Sequence, residues 1–234
     1  MRNSGIINRF CTVPRELKND VTVHTPGPEA SLFSKAVRTP KRDFRITAPA
    51  AIRVSELIKN DHQELRGAYH QILSAQTNDD RVRWQNQFTW ELARHSIGEE
   101  LVVYPEMELK LNNGKAMAQH DREEHQVIKE LLYTFQGLQP DDTEFIPTLK
   151  SLWANLEQHI KEEESQDLPA LESALGDSAS ESMARSFGRT KNFIPTRSHP
   201  AAPDQPPYET VVGLMSAPID RLGDMLRKFP DQKA

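Results

Sequence analysis

Proline removes a backbone donor and clashes with the preceding helical turn, so its distribution dictates where long helices can form. Only Pro105, Pro140, Pro147 and Pro169 of the 16 prolines lie within residues 51–175, and the other 12 sit in the flanks. Charge divides the chain at the same places. Residues 1–50 carry 9 basic and 4 acidic side chains, residues 51–175 carry 12 and 23, and residues 176–234 carry 8 and 7, for net charges of +5, −11 and +1. Three segments are therefore expected: a poorly ordered N-terminal segment, 1–50; a helical domain, 51–175; and a Pro-rich connection with a C-terminal amphipathic helix, 176–234.

The middle segment reads as four helices. The first covers roughly 50–76, with Ile52, Ile58, Leu65, Ile72 and Leu73 at helical spacing. The second covers 79–111, and Pro105 should kink or restart it before Asn112-Asn113-Gly114 ends it. The third covers 115–137, and the fourth runs from the cluster after Pro140 to about Gln166. No segment alternates with strand period. Long helices joined by short connections predict an all-α chain, an antiparallel up-down four-helix bundle with extended terminal segments.

One histidine falls inside the apolar stripe of each helix. His62 follows Ile58 by four and precedes Leu65 by three, His95 follows Leu92 by three, His125 precedes Ile128 by three, and His159 follows Leu156 by three. Offsets of three, four and seven share a helix face, so all four imidazoles should point into the bundle. Two of them have a carboxylate one turn later, Glu99 after His95 and Glu163 after His159. A glutamate aimed at a core is costly unless it is paired or binds a metal. The two pairs also have similar sequels, Glu-Glu then Tyr104-Pro105, and Glu-Glu-Glu then Leu168-Pro169, a weak internal duplication.

Single core histidines are usually satisfied by a carbonyl or a water, but six polar side chains left unsatisfied in one core would cost several kcal/mol, comparable to the whole stability of a domain. Metal binding resolves the conflict. With Cys11 the only cysteine, a thiolate zinc site and a disulfide framework are excluded. Six nitrogen and oxygen donors suit two first-row ions bridged by Glu99 and Glu163, each also taking two histidines. Iron, zinc and manganese all accept such donors. The Glu-x-x-His pairs of ferritin-like oxidases are absent, since the residues three before the histidines are Lys59, Leu92, Met117, Arg122 and Leu156.

Asn60-Asp61-His62-Gln63-Glu64-Leu65, the stretch from His95 to Pro105, Glu124-His125-Gln126 and the stretch from His159 to Pro169 resemble the hemerythrin-like HHE cation-binding domain, and more closely its fungal members. The resemblance covers about 52–172. The stretch from Arg185-Ser186-Phe187 through Thr196-Arg197-Ser198-His199-Pro200 to Ala217-Pro218-Ile219-Asp220 is similar to the tail of those fungal proteins. It implies a non-haem di-iron centre held by His62, His95, Glu99, His125, His159 and Glu163. Oxygen-carrying hemerythrin has a second histidine one turn along the third helix. Lys129 stands there in this chain, which argues against reversible oxygen storage.

The other polar candidates are weaker. His120 should face solvent or another groove, and His70 lies about 80° off the His62 face. Glu100 and Glu162 adjoin expected ligands but should point to solvent. Tyr69 is a candidate to pack beside the metals, with a core role the simpler reading. Asp61, Gln126 and Glu91 are candidates to orient the imidazoles.

The function expected is a metal-binding protein rather than an enzyme, one that binds or senses dioxygen, peroxide or nitric oxide, or buffers iron. One alternative is a metal-independent interaction module using the apolar stripe of residues 208–229 to dock on its own bundle or on a protein partner. Another is a di-iron oxidoreductase needing an external electron donor. The net charge of −5 speaks against nucleic acid, and the longest apolar run, Leu101 to Tyr104, is far too short to span a membrane. A cytoplasmic location is expected. Arg2, Arg9 and Arg15 suggest a mitochondrial alternative, although Glu16 and Asp20 follow at once.

Overall fold

Helix α1 spans Val54–Ser74 and α2 spans Asn78–Gly98, with the Thr77 hydroxyl accepting from the Asp80 amide at the start of α2. A π-helical turn, Glu99–Val103, then leads into α3, Tyr104–Lys110. Helix α4 covers Gly114–Phe135 and α5 covers Phe145–Glu162. A second π-helical turn, Glu163–Asp167, leads into α6, Leu168–Leu175. Helices α7, Asp177–Thr190, and α8, Tyr208–Asp224, complete the chain. This computed structural model describes residues 52–204 and 208–231, with the backbone alone for 208–215. The expectation for residues 1–50 lies outside the described residues.

The antiparallel four-helix bundle is built by α1 against α2, α3 against α4, and α4 against α5. No helix among the described residues is long and apolar enough to cross a membrane.

Both prolines of the duplicated unit explain the π-helical turns. Pro105 and Pro169 have no amide hydrogen, and their rings would collide with a carbonyl one turn back in an ordinary α-helix. Widening the turn relieves both problems. The Tyr104 amide reaches the Glu99 carbonyl, five residues back, and the Leu168 amide reaches that of Glu163. Each wider turn thereby accommodates one extra residue.

Two apolar clusters fill the bundle. One, around Leu65, Phe88, Leu132, Phe135, Phe145 and Leu152, occupies the end at the α4–α5 connection. The other, around Ile58, Val103, Tyr104, Met107, Leu168 and Phe187, occupies the opposite end. Each of the four histidines lies in sequence between members of the two clusters, so the polar layer is sandwiched between them. Helix α7, a helix the sequence reading did not pick out, closes the second end by burying Met183, Ala184 and Phe187 against α1 and the first π-helical turn.

The tail after α7 is tied to the bundle by polar contacts. Arg94 Nε donates to the Lys191 carbonyl at 2.8 Å, Arg197 to Asn86 at 2.7 Å, and Ser198 Oγ to the Lys129 carbonyl at 2.6 Å. In α8 the buried positions include Ala217 and Asp220, while Ile219 and Leu222, and Met225 and Leu226 just past its end, are exposed. These four side chains are thus not packed on the bundle, although just beyond them Asn86 and Arg83 of α2 donate to the Lys228 and Phe229 carbonyls; the side chains of Val211, Leu214 and Met215 lie outside the described residues.

Candidate metal centre

The six side chains singled out by spacing meet in one buried layer. His62, His95, His125, His159, Glu99 and Glu163 are each no more than 1% exposed. His62 Nε2 lies 3.2 Å from Glu163 Oε2, and His95 Nε2 lies 3.3 Å from Glu99 Oε1. His125 Nε2 lies 3.5 Å from Glu99 Oε2 and 3.1 Å from His159 Nε2. Two sets of donors result, His62–His95–Glu99–Glu163 and Glu99–His125–His159, with Glu99 common to both.

The opposite nitrogen of every imidazole meets a carboxylate. His62 Nδ1 is 2.8 Å from Glu164, His95 Nδ1 is 3.4 Å from Asp61, His125 Nδ1 is 3.1 Å from Glu100, and His159 Nδ1 is 2.8 Å from Glu124. A carboxylate on Nδ1 fixes the proton there and leaves Nε2 as a lone-pair donor. Each glutamate pair opens a π-helical turn. Glu99 and Glu100 face the two nitrogens of His125, and Glu163 and Glu164 face the two nitrogens of His62.

Glu100 therefore departs from its expected solvent-facing position: it is fully buried and also accepts from Lys129 Nζ at 2.6 Å. Glu162, by contrast, is partly exposed. Tyr69 stacks on Trp153 in the apolar cluster, away from the histidine layer, and His70 is exposed. Of the three candidate orienting residues only Asp61 meets an imidazole; the Gln126 amide goes to Glu130 and the Pro200 carbonyl, and Glu91 accepts from Gln87. The sequence reading missed Glu124, Glu164 and Tyr104. Tyr104 is fully buried, with its hydroxyl 3.1 Å from His125 Nε2. Its place directly before Pro105 was the available signal, since the proline demands the wider turn that swings it inward.

At His95 and His125 the electrostatics suit neutral nitrogen donors beside a carboxylate charge. Burial holds His95 and His125 at about 4, against the opposing pull of Asp61 and Glu100. His159 is buried too, but its hydrogen bond to Glu124 and the charge of Glu163 outweigh that and raise it. Burial pushes Glu99 well up, and the neighbouring Glu163 charge adds to the shift. Burial would raise Glu163 as well, yet the histidines around it hold it at about 2. Tyr104 is pushed well above its ordinary range by burial and by Glu99 and Asp121, so its phenol stays protonated.

The layer carries an unresolved polar debt. His62 Nε2, His95 Nε2 and both carboxylate oxygens of Glu99 and of Glu163 are buried without a hydrogen-bond partner among the described residues. Buried polar groups are normally paired, and six unpaired atoms facing one another are what a cation would satisfy. The donor set, imidazole and carboxylate without thiolate, fits iron, zinc or manganese.

Comparison with known proteins points the same way. The hemerythrin HHE cation binding domain family matches residues 53–171. The chain is 52% identical over 187 residues to an uncharacterized hemerythrin-like protein of Schizosaccharomyces pombe, a match covering 80% of this chain and 92% of that one. It is 23% identical over 146 residues to a DNA nickase of Nostoc sp., covering 62% of this chain and 41% of the nickase. Among solved structures, a hemerythrin HHE cation binding domain-containing protein of Mycobacterium kansasii superposes with a TM-score of 0.53 at 20% identity, covering 60% of this chain and 86% of that one, a likeness of fold.

Proposed function

The chain belongs to the hemerythrin HHE cation-binding domain family, and from that premise we propose that it holds two iron ions in the bundle core and uses them to bind or sense a small oxidant or to buffer iron. The observation that carries this reading is the set of six unpaired buried donor atoms on His62, His95, Glu99 and Glu163. One ion would be held by His62, His95, Glu99 and Glu163, and the other by His125 and His159 with Glu99 shared. Bound iron would supply open coordination positions for dioxygen, peroxide or nitric oxide.

The chain's own residues prepare that site. Glu164, Asp61, Glu100 and Glu124 hold the four Nδ1 protons and so aim the four Nε2 lone pairs inward. The apolar clusters on either side exclude bulk water. The protonated Tyr104 hydroxyl, beside His125 Nε2, is placed to donate a hydrogen bond to a small ligand at that end. Lys129, bonded to Glu100, adds no imidazole there, which favours sensing or buffering over reversible oxygen carriage.

Elemental analysis and an optical spectrum of the protein expressed with added iron test the proposal. Two irons per chain with a near-ultraviolet absorption that depends on the iron are expected, and His95→Ala or Glu163→Ala should abolish stoichiometric metal. Full occupancy in either variant would overturn the ligand assignment.

The exposed Ile219, Leu222, Met225 and Leu226 favour a second role, docking of α8 and the turn after it on a protein partner. Deleting residues 208–234 should then abolish partner capture while leaving metal content unchanged.

A further inference from the structure

We propose that the α4–α5 surface carries an outer divalent-cation site, formed by His120, Glu124 and Glu162, that loads the buried centre by way of Asp121. The loading role rests on the reading of that centre as a metal site; the outer site stands on its own geometry.

Helix α4 presents His120 and Glu124 one turn apart, and the end of α5 brings Glu162 opposite them. His120 Nε2 lies 3.6 Å from Glu124 Oε1 and 3.4 Å from Glu162 Oε2. Donors bound at about 2.1 Å around a tetrahedral ion stand roughly 3.4 Å from one another, so both histidine–carboxylate spacings suit a shared ion, and all three donor atoms lie within 4.8 Å of one another. His120 is well exposed, and a surface groove lined by Glu124, Ala154, Asn155 and Gln158 opens beside Glu124.

A solvated ion pair would explain His120 and its glutamates, but it does not explain what lies behind them. Asp121 is 2% exposed, and its Oδ2 has no hydrogen-bond partner among the described residues. Its carboxylate belongs with Glu124 and His159 to a set of donor atoms all within 4.8 Å of one another. An unpaired carboxylate oxygen in that position is one that a proton or an approaching cation would satisfy.

The three groups overlap in series. Glu124 belongs to the surface set and to the intermediate set, and His159 belongs to the intermediate set and to the core set. One carboxylate spans the step: Glu124 Oε1 faces His120, while its Oε2 accepts from His159 Nδ1 at 2.8 Å. The core donors themselves are no more than 1% exposed, so an ion needs a route on which water ligands are exchanged for protein oxygens a few at a time. The order His120/Glu162, Glu124, Asp121, His159 supplies one.

The test follows Co2+ uptake by the full-length, metal-free chain through its visible absorption. Carrying His120→Ala and Glu162→Gln together, the protein should reach the same final Co2+ content as wild type but load about tenfold more slowly at low Co2+, the loss expected when a charged funnel is removed. Equal loading rates would overturn the loading role. A Glu99→Gln/Glu163→Gln protein should keep one weak Co2+ ion that disappears when His120→Ala and Glu162→Gln are added. Absence of that weak ion would overturn the outer site. Wild-type protein that takes up only the weak ion would overturn the buried-centre reading, and the loading role with it, while sensitivity of that ion to the His120 and Glu162 changes would still support the outer site.

Discussion

Lys129 Nζ lies 2.6 Å from Glu100 Oε2, and the other oxygen of the same carboxylate receives His125 Nδ1 at 3.1 Å. Glu100 is fully buried and Lys129 nearly so, which makes the lysine the counter-charge that allows a second glutamate to sit beside Glu99. Burial would raise Glu100, but His125 and Lys129 outweigh it and keep the carboxylate ionised.

Removing one member of such a pair strands the other. Lys129→Met should therefore destabilise the metal-free protein by about 3–5 kcal/mol, the usual cost of leaving one buried charge uncompensated. The double variant with Glu100→Gln should lose less than Lys129→Met alone. Urea denaturation of the two single variants and the double gives the coupling, and additive losses would contradict the pairing.

Metal should stabilise the fold, because the unpaired donors of the core face one another only in the folded chain. With free metal at 100 times its dissociation constant, the gain is about 2.7 kcal/mol. Calorimetry before and after chelation should show Tm fall on metal removal in wild type, and no such fall in His95→Ala.

Glycine at positions 98 and 114 is required by close approach. A Cβ at Gly98 would lie 2.8 Å from Cε2 of the buried Phe187 ring, and one at Gly114 would overlap the Met107 carbonyl. Alanine in a helix ordinarily gains up to about 1 kcal/mol over glycine. Here Gly98→Ala should instead cost about 1–3 kcal/mol by overpacking. Gly114→Ala should cost more, since backbone yields less readily than a ring. Thermal melts of both variants rank them.

The tail should detach more easily as pH rises. The hydrogen bond from His199 Nε2 to Asp220, at 3.0 Å, raises His199 against a smaller opposing effect of burial. A histidine raised on folding contributes stability that is complete below its unfolded value, about 6.5, and is lost as pH climbs through the higher folded value. The Tm advantage of wild type over His199→Gln should therefore shrink between weakly acidic and weakly alkaline pH. An advantage that grows with pH would contradict the assignment.

Helix periodicity and the positions of proline were enough to establish four helices, their antiparallel bundle and the inward direction of His62, His95, His125 and His159. The reason is local: a residue's face on an α-helix depends only on spacing, and an apolar stripe interrupted by one imidazole is visible in the chain itself. The same spacing brought Glu99 and Glu163 inward, one turn after a histidine each. It failed at Glu100 and Glu164, because each is drawn in by an imidazole on another helix, His125 and His62, a contact that no 3.6-residue period contains. Prolines 105 and 169 were the trace of the π-helical turns, which no 3.6-residue period contains either. The carboxylate on each Nδ1 belongs to a different helix from its histidine, Asp61 with His95, Glu124 with His159, and only the packing of helices selects such partners. Helix α7 and the tail escaped for the same reason. Their segment is mostly polar, and the few apolar residues that matter, Met183, Ala184 and Phe187, gain their meaning from the bundle end they cover.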